Sequence, residues 1–145
     1  MEGTQGSHIQ GGRVAFGRLL WVGPLAAVAA AVADASVYFV ASALGAMPQD
    51  VFVEGSGPIT LEPVVFASVI GAVGAVVVFA IAALLARRRP IQTFNIVAAV
   101  ALVLSFYTPF TVPEAPVAMV ATLLLMHVVA AVVIVGILTT LVRER

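Results

Sequence analysis

The sequence predicts an all-α membrane protein, a four-transmembrane-helix up-down bundle with both termini cytoplasmic. Three observations carry that expectation. Hydrophobic residues make up 62% of the chain and charged residues only 10%, too few to cover a water-facing surface. Four apolar stretches, approximately residues 19–44, 64–86, 91–108 and 117–142, account for most of the 145 residues. Each approaches or exceeds the ~20 residues that cross a ~30 Å hydrocarbon core, the third being the shortest. The third observation is charge placement. All seven basic residues are arginines: Arg13, Arg18, Arg87, Arg88, Arg89, Arg143 and Arg145. They fall before the first stretch, between the second and third, and after the fourth, whereas the other two loops carry Asp50, Glu54, Glu62 and Glu114. Four alternating crossings leave every arginine on one side, and the positive-inside rule makes that side the cytoplasm. A soluble reading would need four helices apolar on all faces with nothing polar to cover them.

Residues 1–12, MEGTQGSHIQGG, are polar and glycine-rich and read as a disordered tail; residues 13–145 form the single membrane domain. His8 in the tail is expected to be solvated. In the first span Trp21 suits the interface, Pro24 is tolerable in the opening turns, and alanines at 26, 27, 29, 30, 31, 33 and 35 keep the helix thin. Ala31-Val32-Ala33 resembles a small-residue cleavage site, but the apolar run resumes through Val37-Tyr38-Phe39-Val40 to Leu44, longer than a signal h-region. The span is therefore expected to be retained.

The loop Gly45–Glu62 is rich in turn formers, and VFVEGSGPITLEP suits either a short hairpin or a strand of outer loop. Its acids read as a solvated surface rather than a cation site. The second span carries Ala67, Gly71 and Ala75 at four-residue spacing, a small-residue face suited to close helix contact. Arg87-Arg88-Arg89-Pro90 is short enough only for an antiparallel hairpin. The three arginines can attract anionic headgroups, though orientation alone accounts for them. The third span contains Gln92, Asn95, Ser105 and Tyr107; PFTVPEAP then makes a tight outer turn into the fourth span, which holds His127.

Four positions fall at one depth. Asp34, Ser105, His127 and Gly71 each lie 16 residues from an arginine at the end of their span, namely Arg18, Arg89, Arg143 and Arg87. At ~1.5 Å per residue this is ~24 Å from the cytoplasmic boundary, beyond the midplane. A charged Asp within a span costs about 2.5–3.5 kcal/mol on insertion scales. Protonation, an inward orientation with hydrogen bonds, or pairing with His127 reduces that cost. The Asp34–His127 pair is the preferred expectation, with Ser105 in the same layer, Gly71 giving it room, and Tyr38, at i+4 from Asp34, available as a donor.

Catalytic templates are missing: the chain has no GxSxG elbow, HExxH, P-loop or GxGxxG, and no cysteine. Ser105 near His127 reads as a helix-contact residue. No enzyme activity, cofactor, metal or nucleic-acid partner is expected; a single intramembrane His without further ligands makes a poor haem or metal site.

ARRRPIQTFNIVAAVALVLSF, LLLMHVVAAVVIVGILTTL and RLLWVGPLAAVAAAVADASVYFVASALG resemble the third, fourth and first spans of a small four-helix bacterial integral membrane family known only as a domain of unknown function. The likeness covers nearly the whole chain after the tail. RRPI-x-TF and the Met126-His127 pair are its most specific motifs. It implies a bacterial inner-membrane protein without an established activity. It also implies Asn at the position of Asp34, where a neutral hydrogen bond can serve. Two functions are expected from these residues. One is a structural, accessory or self-associating membrane protein, whose partners are the lipid bilayer, a second copy or another membrane protein. The other is a small proton- or ion-coupled carrier or channel using Asp34 and His127.

Overall fold

In the computed structural model, residues 16–53, 57–86 and 88–142 are described. Arg13, Arg87, Arg143, Arg145, Glu54 and the tail with His8 lie outside the described residues. Four helices, α1 (Phe16–Ala43), α2 (Leu61–Leu85), α3 (Pro90–Ser105) and α4 (Val117–Leu141), run alternately up and down. Each is long and apolar enough to cross a membrane once α3 is counted with the turn that extends it to Thr111. The chain is thus a multi-pass membrane protein by length and composition.

Helix ends follow from local chemistry. Gly45, with φ of 73°, closes α1 in a left-handed turn, and the Ala46 and Gly45 N–H groups donate to the carbonyls of Ala41 (2.8 Å) and Ser42 (3.0 Å). Pro90 opens α3, where its missing N–H has no intrahelical partner to lose. The loop after α1 forms a minimal antiparallel ribbon of β1 (Phe52–Val53) and β2 (Gly57–Pro58). The third span, expected at approximately 91–108, is made of two pieces: α3 ends at Ser105 and the chain tightens into a 3-10 turn over Thr108–Thr111, since Pro109 removes an N–H that a continuing α-helix needs. Sixteen α-helical residues cover only ~24 Å, and the turn supplies the remaining depth.

Two buried clusters hold the bundle. Near the arginine end, Leu19 and Val22 of α1 meet Phe79 and Ala82 of α2, Phe94 of α3, and Ile134 and Leu138 of α4. Here Phe79 and Phe94 stack edge to face with centroids 4.9 Å apart. At the opposite end Tyr38, Ala41, Met47, Val64, Met119 and Met126 pack together. Arg18 Nη1 also reaches the Leu141 carbonyl at 3.5 Å, so the start of α1 and the end of α4 share one end of the bundle.

The helices do not share the packing equally. On α1 the buried positions Val22, Ala26, Ala30, Asp34 and Tyr38 recur every fourth residue and form one seam against α2 and α4. Gly23 lets α2 approach closely: a Cβ built there would lie 2.9 Å from Val76 Cγ2. By contrast, Phe94 is the one fully buried side chain among the described residues of α3. α3 leans on α2 and α4 and stands off from α1.

Candidate functional site

The standing-off of α3 leaves a cleft of about 680 Å³ between α2, α3 and α4, with Asp34 of α1 at its back wall. Phe94 and Ile134 line it towards the arginine end; Pro58, Ile59, Thr108 and Pro109 line it towards the other. The structure brings Asp34, Ser105, His127 and Gly71 to this one cleft.

Asp34 is 4% exposed, which keeps its carboxyl away from lipid. It is there because it occupies the four-residue seam of α1, whose other members are small or apolar. Its Oδ2 accepts a 2.7 Å hydrogen bond from Ser68 Oγ of α2. The same hydroxyl also reaches the Val64 carbonyl at 3.0 Å. Asp34 Oδ1 is buried and, among the described residues, has no hydrogen-bond partner. The expected direct bond to His127 is therefore absent. The His127 ring turns back on its own helix, with Nδ1 2.7 Å from the Leu123 carbonyl oxygen. A carbonyl only accepts, so Nδ1 carries the hydrogen; in the neutral ring Nε2 is then an acceptor.

Tyr38 does not serve Asp34. Its hydroxyl donates instead to the Ile59 carbonyl at 3.5 Å, tying α1 to the loop between α1 and α2. One turn of helix carries the ring past the carboxyl and into the cluster opposite the arginine end. Ser105 donates to the Leu102 carbonyl at 2.7 Å, which satisfies its hydrogen within α3.

The small-residue face of α2 behaves differently from the expectation. Ala67, Gly71 and Ala75 line the cleft together with Gly74, and Ala75 also packs against the cluster at the arginine end. A Cβ added at Gly71 or Gly74 would meet nothing within 4 Å among the described residues. The close helix contact is made by Gly23, which the four-residue spacing did not single out. Ser68 was missed as well, although it is the lone hydroxyl in the second apolar stretch. That isolation, opposite a carboxylate at nearly the same depth, was the available signal. Ser68 lies three residues beyond Gly71 from Arg87, an axial offset of ~4.5 Å that ordinary tilt absorbs.

A second concavity of about 550 Å³ borders the basic turn, lined in part by Arg88, Arg89, Gln92 and Asn95. Arg89 Nη1 donates to Gln92 Oε1 at 3.3 Å on this exposed face. Among the described residues no group of His, Cys, Asp and Glu side chains is placed to hold a metal ion.

The model of a family described as a family of unknown function (DUF6069) matches residues 14–144. The chain belongs to that family. No curated protein and no solved structure matches the chain.

Proposed function

We propose that this member of a family of unknown function acts by association within the membrane, as an accessory protein that receives an apolar guest between α2, α3 and α4. Its arginine-bearing end faces the cytoplasm of a bacterial inner membrane, with both termini inside, as the positive-inside rule favours. The observation that carries the reading is the unfilled wall of α2. Gly71 and Gly74 face open space where helix packing normally places small residues against a neighbour.

Magnitude separates the classes of guest. A cleft of about 680 Å³ lies inside the ~300–1,000 Å³ range of small-molecule sites. The space suits a single apolar molecule or chain. Self-association then uses the outer, lipid-facing surfaces and leaves the cleft available.

The second reading is a proton- or ion-coupled carrier or channel. The gathering of Asp34 and His127 in one cleft favours it. Against it, apolar clusters close the bundle core at both ends, around Phe79 and Leu138 at one and around Met47 and Met119 at the other. A conducting form would need several copies to build its path.

The test fills the wall. Gly71→Leu adds a side chain into open space, so the fold is expected to persist with an unchanged melting temperature. In phosphatidylcholine vesicles, a nitroxide-labelled acyl chain is expected to show a motionally restricted component with the native chain that shrinks in the variant. Identical spectra for the two proteins would count against a guest in the cleft.

A further inference from the structure

Asn95 is a polar side chain within the third span, and among the described residues its amide makes no hydrogen bond. The rotation of α3 explains where it faces. Phe94 points into the bundle and is 1% exposed. At ~100° per residue, Gln92, Asn95, Ile96 and Ala99 then fall on the opposite side of the helix. All four are exposed there, on a face that meets lipid. An amide left without a partner is costly at the edge of hydrocarbon.

That outward stripe floors the concavity of about 550 Å³ beside the basic turn, and its composition changes with depth. Arg88 and Arg89 stand at the mouth, Gln92 and Asn95 follow, and Ile96 and Ala99 form the inner part. From Arg89 to Asn95 the helix descends ~9 Å, against roughly 5–8 Å of headgroup region on each side of the core. From Arg89 to Ala99 it descends ~15 Å, half of a ~30 Å core. Cations, then amides, then hydrocarbon is the order in which a phospholipid presents phosphate, glycerol esters and acyl chain. Arg88 has no side-chain partner among the described residues, and Arg89 gives one N–H to Gln92 Oε1 and keeps its other donors. Guanidinium forks suit phosphate oxygens. Among the described residues no Asp or Glu lines the concavity, so nothing there receives the ammonium of a zwitterionic headgroup.

We infer that this concavity is a site for one anionic phospholipid of the leaflet at the arginine end. Its phosphodiester lies between Arg88 and Arg89, its glycerol esters accept from Asn95, and one acyl chain runs along Ile96 and Ala99. Orienting the chain in the membrane requires only the arginines; it does not require an unbonded amide below them on the same face. The cleft takes Phe94, Val97, Ala98 and Ala101 from the other side of α3, so this site is separate from it and does not rest on the guest reading.

Native mass spectrometry of the full chain in neutral detergent tests the assignment, with dioleoyl phosphatidylglycerol and dioleoyl phosphatidylcholine offered in equal amounts. The first lipid bound is expected to be phosphatidylglycerol by roughly ten- to thirtyfold, the scale of two arginines beside an anionic headgroup. Arg88→Gln combined with Arg89→Gln should bring the two lipids close to parity. Asn95→Leu should lower phosphatidylglycerol binding about fivefold, one hydrogen bond, with the preference retained. Diffuse charge attraction would be blind to that change. Gly71→Leu, in the cleft, and Ser36→Ala, exposed on α1, leave the preference unchanged.

The two-lipid comparison is made on the native chain, so it stands whatever the variants do to folding. Equal binding of the two lipids, a preference that survives in the folded double-glutamine protein, or phosphatidylglycerol binding untouched by Asn95→Leu would overturn the assignment. Displacement of the lipid by inorganic phosphate would mark a simple anion site and overturn it too. Loss of the preference in Gly71→Leu would place the lipid in the cleft instead.

Discussion

Replacing Phe94 with alanine is expected to release α3 from the bundle. Phe94 is 1% exposed and supplies the one fully buried side chain among the described residues of that helix. Its ring meets Phe79 edge to face at 4.9 Å and joins residues of α1 and α4 in the cluster at the arginine end. In a water-soluble core such a truncation costs about 3–5 kcal/mol, part of it from transfer out of water. Lipid is as apolar as the side chain, so in the bilayer mainly the packing and edge-to-face terms are lost. The expected cost is then roughly 2–3 kcal/mol. Because α3 has little else to hold it, this loss should appear as local opening. Hydrogen exchange of α3 amides is expected to rise before that of α1 or α4, with the global melting temperature falling less. Uniform acceleration across all four helices would contradict the loose attachment of α3.

The opposite error, overfilling, is expected at Gly23. Gly23→Leu places a Cβ 2.9 Å from Val76 Cγ2, inside any tolerable separation, with the remaining leucine atoms still to be housed. α1 and α2 share the most extensive contact in the bundle, so they must part where both are anchored by Val22, Ala72 and Phe79. Overpacking of this kind costs about 1–3 kcal/mol, and a rigid helix pair sits at the upper end. Adding Val76→Ala removes the clashing methyls and should recover at least half of the lost stability, measured by thermal unfolding in detergent. A double variant no better than the single one would mean that Gly23 is not where the two helices meet. The same leucine at Gly71, which faces the cleft, is expected to cost far less; this contrast separates a packed glycine from an unpacked one.

Much of the architecture was legible in the sequence because the bilayer leaves few options. Every backbone polar group in hydrocarbon must be bonded within its own segment, so apolar runs of this length become helices, and the arginines sort the loops into two sets. Counting along the spans could group Asp34, Ser105 and His127, since rise per residue is fixed once the ends are known, and all three line one cleft. Helix rotation was not. In water an amphipathic pattern announces which face turns inward, whereas these spans are apolar all round and lipid asks for no polar face. Thus the stripe Ala67–Gly71–Ala75 could be recognised but not aimed, and it lines a cleft. Tyr38 could be assigned to the face of Asp34, yet its long ring carries the hydroxyl to Ile59. Ser68 stands out less in the sequence than a carboxylate or an imidazole, because a hydroxyl can be satisfied by its own helix at little cost.

The unequal packing of α3 was beyond reach for a further reason. Its length falls short of the membrane, and the turn that completes it depends on where Pro109 forces the helix to end. With α3 ending there and only Phe94 fully buried, its midsection has no partner across from Gly71. The cleft is thus a consequence of one short helix beside one helix with small residues. Asp34 gains its place at the back because the α1 seam passes through it.

The absence of cysteine in the chain makes the decisive comparison straightforward. Two double-cysteine variants are oxidised in bilayers under identical conditions: Gly23→Cys with Val76→Cys, and Gly71→Cys with Ala101→Cys. Gly23 and Val76 place their Cβ positions 3.9 Å apart, within the ~3.5–4.5 Å that a disulfide spans. Gly71 and Ala101 line the cleft from α2 and α3, and nothing among the described residues lies within 4 Å of the Gly71 Cβ position. Rapid closure of the first pair with little or none of the second, read as intramolecular disulfide by mass spectrometry, is the predicted result. Equally rapid closure of both would show α3 packed against α2 and no cleft between them.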